Sequence, residues 1–236
     1  VEEYDKAGIF ESAKAFSDTA VVVIARSGGE GADLPTSLDP AVEDNFQDGG
    51  TFGSSGLRYS DQKDDLDASK HYLELSNREQ AMLDRVTADY ENVILIVNAA
   101  NTMELGFVED YSQIKSVIWC PGTGQSGFNS LGKILNGEVN PSAKTSDTFV
   151  RDLTATPTYN NFGNFTYDNM DEFAVDGVNP NFVNYTDGIY VGYRFYETAA
   201  EEGFLNYEEA VQYPFGYGLS YTQFKQEMGE LNVNNG

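Results

Sequence analysis

The sequence predicts an α/β fold, a doubly wound and mainly parallel sheet flanked by helices (an α/β sandwich), which gives way to an irregular Tyr- and Asn-rich C-terminal part. Three observations carry this expectation. Apolar runs rich in β-branched residues at 20–25, 93–97 and 116–120 alternate with stretches of helical periodicity, the pattern of parallel strands covered by helices. The first run ends in glycines, as loops do at the carboxyl edge of such sheets, where ligands sit. From 151 to 184 the composition turns to Asn, Tyr, Thr, Asp and Phe with little periodicity.

Taken in order, residues 4–16 read as a helix and 20–25 as a strand, with Val21 to Ile24 expected to be buried on both faces. A long polar stretch follows at 34–73, too long for an ordinary connection and readable as a lid or an insertion beside the site. Ser76 with Glu79 forms a capping box, and Met82, Leu83, Val86 and Tyr90 then fall on one helical face. A strand at 93–97, a short helix within 103–114, a strand at 116–120 and a helix at 126–136 closed by Gly137 complete the regular part. Farther on, the alternation at 188–197 predicts a strand, and 213–224 is a glycine-punctuated closing segment. The apolar signal fades after Phe224, so the domain is expected to end near 226, with 227–236 a linker to a further domain.

Composition narrows the function. A chain of 236 residues that is 40% hydrophobic can bury one sizeable core. Its formal charge of −24, with only 14 Lys and Arg, argues against nucleic acid and anionic membranes as partners, since phosphate contacts require clustered cations. The same field disfavours ionising one more acid, which suits a carboxyl that must stay protonated. Cys120 is the sole cysteine, which excludes an internal disulfide and a Cys-rich metal site, and its apolar surroundings point to the core. His71 is the sole histidine and reads as a surface-loop residue; any Ser-His or multi-histidine zinc mechanism would rest on it alone. No run of eighteen apolar residues and no charged-then-apolar leader is present in these residues.

Two glycine-rich segments carry candidate chemistry. Gly122-Thr123-Gly124-Gln125-Ser126-Gly127 matches G-x-G-x-x-G between a strand and a helix, the setting of a dinucleotide site. The acid that should follow about 20 residues later is Asp147, which lies in a polar, proline-containing segment and ends no strand, so the glycines read as turn and packing positions. The other segment, Arg26-Ser27-Gly28-Gly29-Glu30-Gly31-Ala32-Asp33, displays one carboxylate among glycines at the end of the first strand. Residue chemistry alone allows Glu30 to be an acidic surface turn or a proton donor to a bound substrate.

Arg26 to Asp33 resembles the loop of family 3 glycoside hydrolases that carries the catalytic glutamate. Three further stretches, 137–142 (Gly-Glu-Val-Asn-Pro-Ser), 187–197 (Asp-Gly-Ile-Tyr-Val-Gly-Tyr-Arg-Phe-Tyr-Glu) and 213–224 (Tyr-Pro-Phe-Gly-Tyr-Gly-Leu-Ser-Tyr-Thr-Gln-Phe), resemble that family's C-terminal α/β domain. The resemblance implies a retaining glycosidase acting on β-linked glucosides or related sugars, without cofactor or metal. Glu30 is then the catalytic acid/base, and Asp33 and Arg26 are substrate-binding candidates. Arg26 has two readings, a pairing with Asp33 that holds the loop or a direct contact with the sugar. The nucleophile is implied to come from a separate barrel domain of the parent protein, so the partners are the glycoside and that barrel, and the fragment alone is expected to be inactive. Glu104 is expected to cap the start of its short helix. Leu34-Pro35 stands where the family often has an arginine, a departure that favours an alternative: a carbohydrate-binding or scaffolding module of the same fold that has lost its chemistry. Aromatics at 162, 165, 167 and 173 either stack on sugar or anchor their loop to the core.

Overall fold

A computed structural model describes residues 1–28, 34–39, 41, 60–161, 165–173 and 181–233. Three strands, β1 (Thr19–Ala25), β2 (Asn92–Asn98) and β3 (Ile114–Trp119), form a parallel sheet in the order β1-β2-β3, Thr19 to Ala25 facing Asn92 to Asn98 in unbroken register. All three fall on the apolar runs. Helices flank the sheet: α1 (Glu2–Lys6), α2 (Ile9–Phe16), α3 (Asn77–Asp89) and α4 (Phe128–Leu135). The expected helix at 4–16 is thus two helices, broken at Gly8, whose φ of 67° closes the α-helical path. The helix expected within 103–114 is only a 3₁₀ turn, Gly106–Asp110.

The core lies where α3 meets the sheet. Val22 and Ile24 are buried on the α3 side, with Leu83, Val86, Val93, Leu95 and Val97. Val21 and Val23, on the opposite face of β1, remain 49% and 53% exposed. The expectation that both faces of this strand are buried is therefore corrected: none of the described elements covers its second face. The α3 N-terminus carries the predicted capping box. Ser76 Oγ accepts from the Glu79 backbone N–H while Glu79 Oε2 accepts from that of Ser76 at 2.9 Å, which satisfies two donors the first helical turn leaves orphaned.

Beyond β3 the regular layers end. β4 (Phe149–Val150) pairs antiparallel with β7 (Val211–Tyr213), and β5 (Phe165–Thr166) with β6 (Asn181–Phe182); the helices α5 (Pro157–Asn161), α6 (Tyr193–Glu201) and α7 (Tyr207–Ala210) are short. The strand expected at 188–197 is corrected to a turn followed by α6. Gly192 takes φ 61° and ψ −133°, a bend no strand maintains, and beyond it Phe195, Tyr196 and Ala199 recur at helical spacing on the less exposed face. Phe165 and Tyr167 pack on Phe182, with ring centroids 5.7 and 4.8 Å apart, so these aromatics hold β5 to β6 and do not reach the main core; Phe162 lies outside the described residues, and Phe173 is exposed. Among the described residues no helix is long and apolar enough to cross a membrane.

The segments 137–142 and 213–224 are stitched together. Asn140 Oδ1 accepts from Tyr221 N at 3.0 Å and from Ser220 Oγ at 3.1 Å, while Thr145 N donates to Tyr217 O and Thr145 O accepts from Gly216 N. Gly218 is forced by this closeness, since a Cβ there meets Ala143 O at 2.6 Å. Gly218→Ala is expected to cost about 1–3 kcal/mol through the displaced backbone, read as a lowered urea midpoint.

Candidate functional site

The site grows from the carboxyl end of β1. Arg26 N donates to Asn98 O at 3.1 Å, which extends the ladder one residue past the strand before the chain turns away. Gly28 then lies against Leu34: a Cβ on it meets Leu34 Cδ2 at 2.5 Å and Asn101 Oδ1 at 3.3 Å. A side chain at this position would have to displace the tip of Leu34. Gly28 and Leu34, which flank residues 29–33 in the sequence, are thus in contact. Glu30 and Asp33, predicted as the acid/base and a sugar contact, lie outside the described residues.

Arg26, the first residue beyond β1, is held on all sides. Nε donates to Tyr72 O at 2.7 Å; Nη1 donates to Ala25 O and Glu79 Oε1, at 2.8 and 2.6 Å; Nη2 donates to Glu74 O and to Glu79 Oε2, the latter at 2.6 Å. A guanidinium has five N–H donors, and every one is used. With its side chain 7% exposed, Arg26 has no donor to spare for a sugar and its carboxylate partner is Glu79. Of the two readings made from the sequence, the pairing with Asp33 falls on a residue outside the described ones, and a sugar contact would have to displace one of these bonds. Sequence reasoning missed Glu79 in this role, because the capping box accounted for it and its partner lies 53 positions away.

A cavity of about 120 Å³ opens beside this clamp, lined by Ser27, Ser60, Asp65 and Tyr72 as well as Arg26 and Glu79. Ligand pockets usually measure roughly 300–1,000 Å³, so this one is at most part of a site. The two ends of the 34–73 stretch meet here, with Leu38 N donating to Lys70 O at 3.0 Å.

His71 and Glu104 both depart from expectation. His71 is buried. Its Nε2 lies 2.9 Å from Glu104 Oε1, and its Nδ1 accepts from Leu73 N at 3.2 Å. Glu104 caps no helix of its own; the same oxygen accepts from Leu153 N, at the start of the 3₁₀ turn Leu153–Ala155. His71, Glu74 and Glu104 place their ligand atoms within 4.8 Å of one another, close enough to surround a metal ion. The hydrogen bonds argue for a latch instead. Leu73 N–H makes Nδ1 an acceptor, which puts the ring proton on Nε2 and aims it at Glu104. A metal on Nε2 would expel that proton and leave Nδ1–H facing Leu73 N–H. The surroundings are acidic: burial, aided by the charges of Glu74, Asp152 and Glu104, raises the Tyr159 phenol above its usual range, and its ring lies 6.1 Å from that of His71. Glu104→Ala strips two donors of their acceptor, at about 1–3 kcal/mol each. The expected result is a loss of stability by urea denaturation, partly restored in Glu104→Gln.

Cys120 offers no nucleophile, since burial pushes its thiol pKa up. The glycine-rich 122–127 segment is a tight turn into α4, with Gly127 packed on Thr123 O.

Comparison with known proteins agrees with this architecture. The model of the glycosyl hydrolase family 3 C-terminal domain matches residues 7–193. The chain is 33% identical over 220 residues to beta-glucosidase A of Butyrivibrio fibrisolvens, covering 93% of this chain and 23% of that protein, and 29% identical over 209 residues to a beta-glucosidase of Ruminococcus albus, covering 89% and 16%. Among solved structures, a beta-glucosidase from Paenibacillus barengoltzii superposes with TM-score 0.61 at 25% identity, over 90% of this chain and 17% of that one. Beta-glucosidase 3B from Thermotoga neapolitana, in complex with glucose, superposes with TM-score 0.57 at 27% identity, over 90% and 23%. The chain spans less than a quarter of the length of these relatives. With most of its length matched, and with the parallel sheet and stitched closing segment in place, the chain belongs to the family of glycosyl hydrolase family 3 C-terminal domains.

Proposed function

We propose that this domain supplies Glu30 as the general acid/base of a retaining glycosidase acting on β-linked glucosides or related sugars, with the nucleophilic carboxylate held by a barrel domain of the same parent protein. The supporting observation is what flanks residues 29–33: β1 ends at Ala25, on the carboxyl edge of a parallel sheet, where ligands of such sheets bind, and Gly28 and Leu34 meet on either side. The relatives' beta-glucosidase activity supports the substrate class, and their greater length leaves room for the second carboxylate. Asp33, on the same loop, is the proposed sugar contact. Retention requires two carboxyl groups about 5 Å apart, one ionised and one able first to donate and then to accept a proton.

Chemical rescue tests the assignment. In the parent protein carrying Glu30→Ala, an activated aryl β-glucoside still glycosylates the nucleophile, and water then attacks slowly for want of a base. Azide needs no deprotonation. Acceleration by azide, with β-glucosyl azide as product, is the expected result; its absence in a folded variant removes Glu30 from the role. The 236-residue chain alone is expected to release no phenol from the same substrate, because it lacks the nucleophile.

A further inference from the structure

The geometry points to Glu79, acting through Arg26, as a positioning residue for the loop that carries Glu30. This rests on the acid/base reading of Glu30 and deepens it. Arg26 stands four positions before Glu30 and two before the Gly28–Leu34 contact, and its guanidinium ties together three elements: the end of β1 through Ala25 O, the 72–74 turn through Tyr72 O and Glu74 O, and α3 through both oxygens of Glu79. Glu79 is fixed in turn, since Oε2 also accepts the Ser76 backbone N–H of the helix cap. The side chains of the pair are 7% and 19% exposed. A bidentate guanidinium–carboxylate pair fixes orientation as well as distance, which a lysine ammonium does not reproduce. An acid that protonates a glycosidic oxygen must be held in place, and a displacement of about 1 Å can cost on the order of 10²-fold in rate.

The test uses the full-length parent protein and aryl β-glucosides of graded leaving-group basicity. Arg26→Lys and Glu79→Gln are compared with Glu30→Gln and with Gly218→Ala, which disturbs the backbone at Ala143 and touches neither Arg26 nor Glu79. Thermal unfolding of each variant is recorded, and kcat and KM are separated. The expected result is a fall in kcat on the order of 10²-fold for unactivated phenyl glucosides in both clamp variants, with little change for dinitrophenyl glucosides, so that the leaving-group slope steepens as in Glu30→Gln. Gly218→Ala lowers the melting temperature and leaves that slope unchanged. Should the clamp variants lose activity equally on all substrates, or follow their melting temperatures as Gly218→Ala does, while Glu30→Gln alone steepens the slope, the positioning role is wrong and the acid/base role stands. A flat slope in Glu30→Gln overturns both, with the failure lying at Glu30. If Glu79→Gln does not fold, Arg26→Lys decides, since it retains the charge and loses the five-donor geometry of the guanidinium.

Discussion

Glu30→Gln in the full-length protein lowers turnover of glycosides with poor leaving groups by about 10²- to 10⁴-fold, the usual worth of a positioned proton donor. The glutamine keeps the size of the side chain and loses the transferable proton, so binding is expected to change little. Departure of a basic alkoxide depends on that proton, whereas a dinitrophenolate leaves without it, and the deficit should shrink along the series. The basic limb of the kcat/KM profile reports the protonated acid of the free enzyme; it should vanish in the variant. The strongly negative chain, with a formal charge of −24, favours the protonated form that the first step requires. Full activity on unactivated glycosides with an unaltered pH profile would show that the proton comes from elsewhere.

The elements legible in the sequence were those with local causes. β1, β2 and β3 follow from runs of Val and Ile, and α3 from a capping box and a helical apolar face, each determined within a dozen residues. What escaped depends on partners distant in sequence. Nothing near Arg26 announces Glu79, 53 positions on, and nothing near His71 announces Glu104, which pulls the imidazole inside and turns from helix capping to a contact with Leu153, 49 positions beyond it. α6 was misread because its aromatics alternate as well as recur at helical spacing, and only the positive φ of Gly192 decides between the two periods. The exposure of Val21 and Val23 is a fact about what covers a sheet, which an apolar run cannot state. The glutamate among glycines, for which the acid/base role is proposed, is readable as chemistry only through resemblance; the described residues add Arg26 and Gly28 before it and Leu34 after it.

Phe149→Ala is expected to destabilise the chain by about 3–5 kcal/mol, the largest effect of a single core truncation here. Phe149 is among the largest fully buried side chains, at 1% exposure, and it joins two parts of the molecule that share no sheet. On one side its ring meets Trp119, at the end of β3, edge to face with centroids 5.1 Å apart and planes at 85°; on the other it meets Tyr213 of β7 at 6.1 Å and 74°. Tyr213 is also its cross-strand partner in the β4–β7 ladder. Truncation therefore removes the buried area and two aromatic contacts, each worth about 0.5–1.5 kcal/mol beyond area, and leaves a void between two elements that cannot collapse without breaking the ladder. Trp119, the only tryptophan, whose Nε1 donates to Ala99 O at 2.8 Å, reports on that spot, so urea unfolding followed by its emission measures the loss directly. Phe149→Leu, which fills most of the volume, should recover the greater part of it. A deficit confined to the β4–β7 segment, with the emission of Trp119 and its urea midpoint unchanged, would show that the ring is not the joint between the sheet and the C-terminal part.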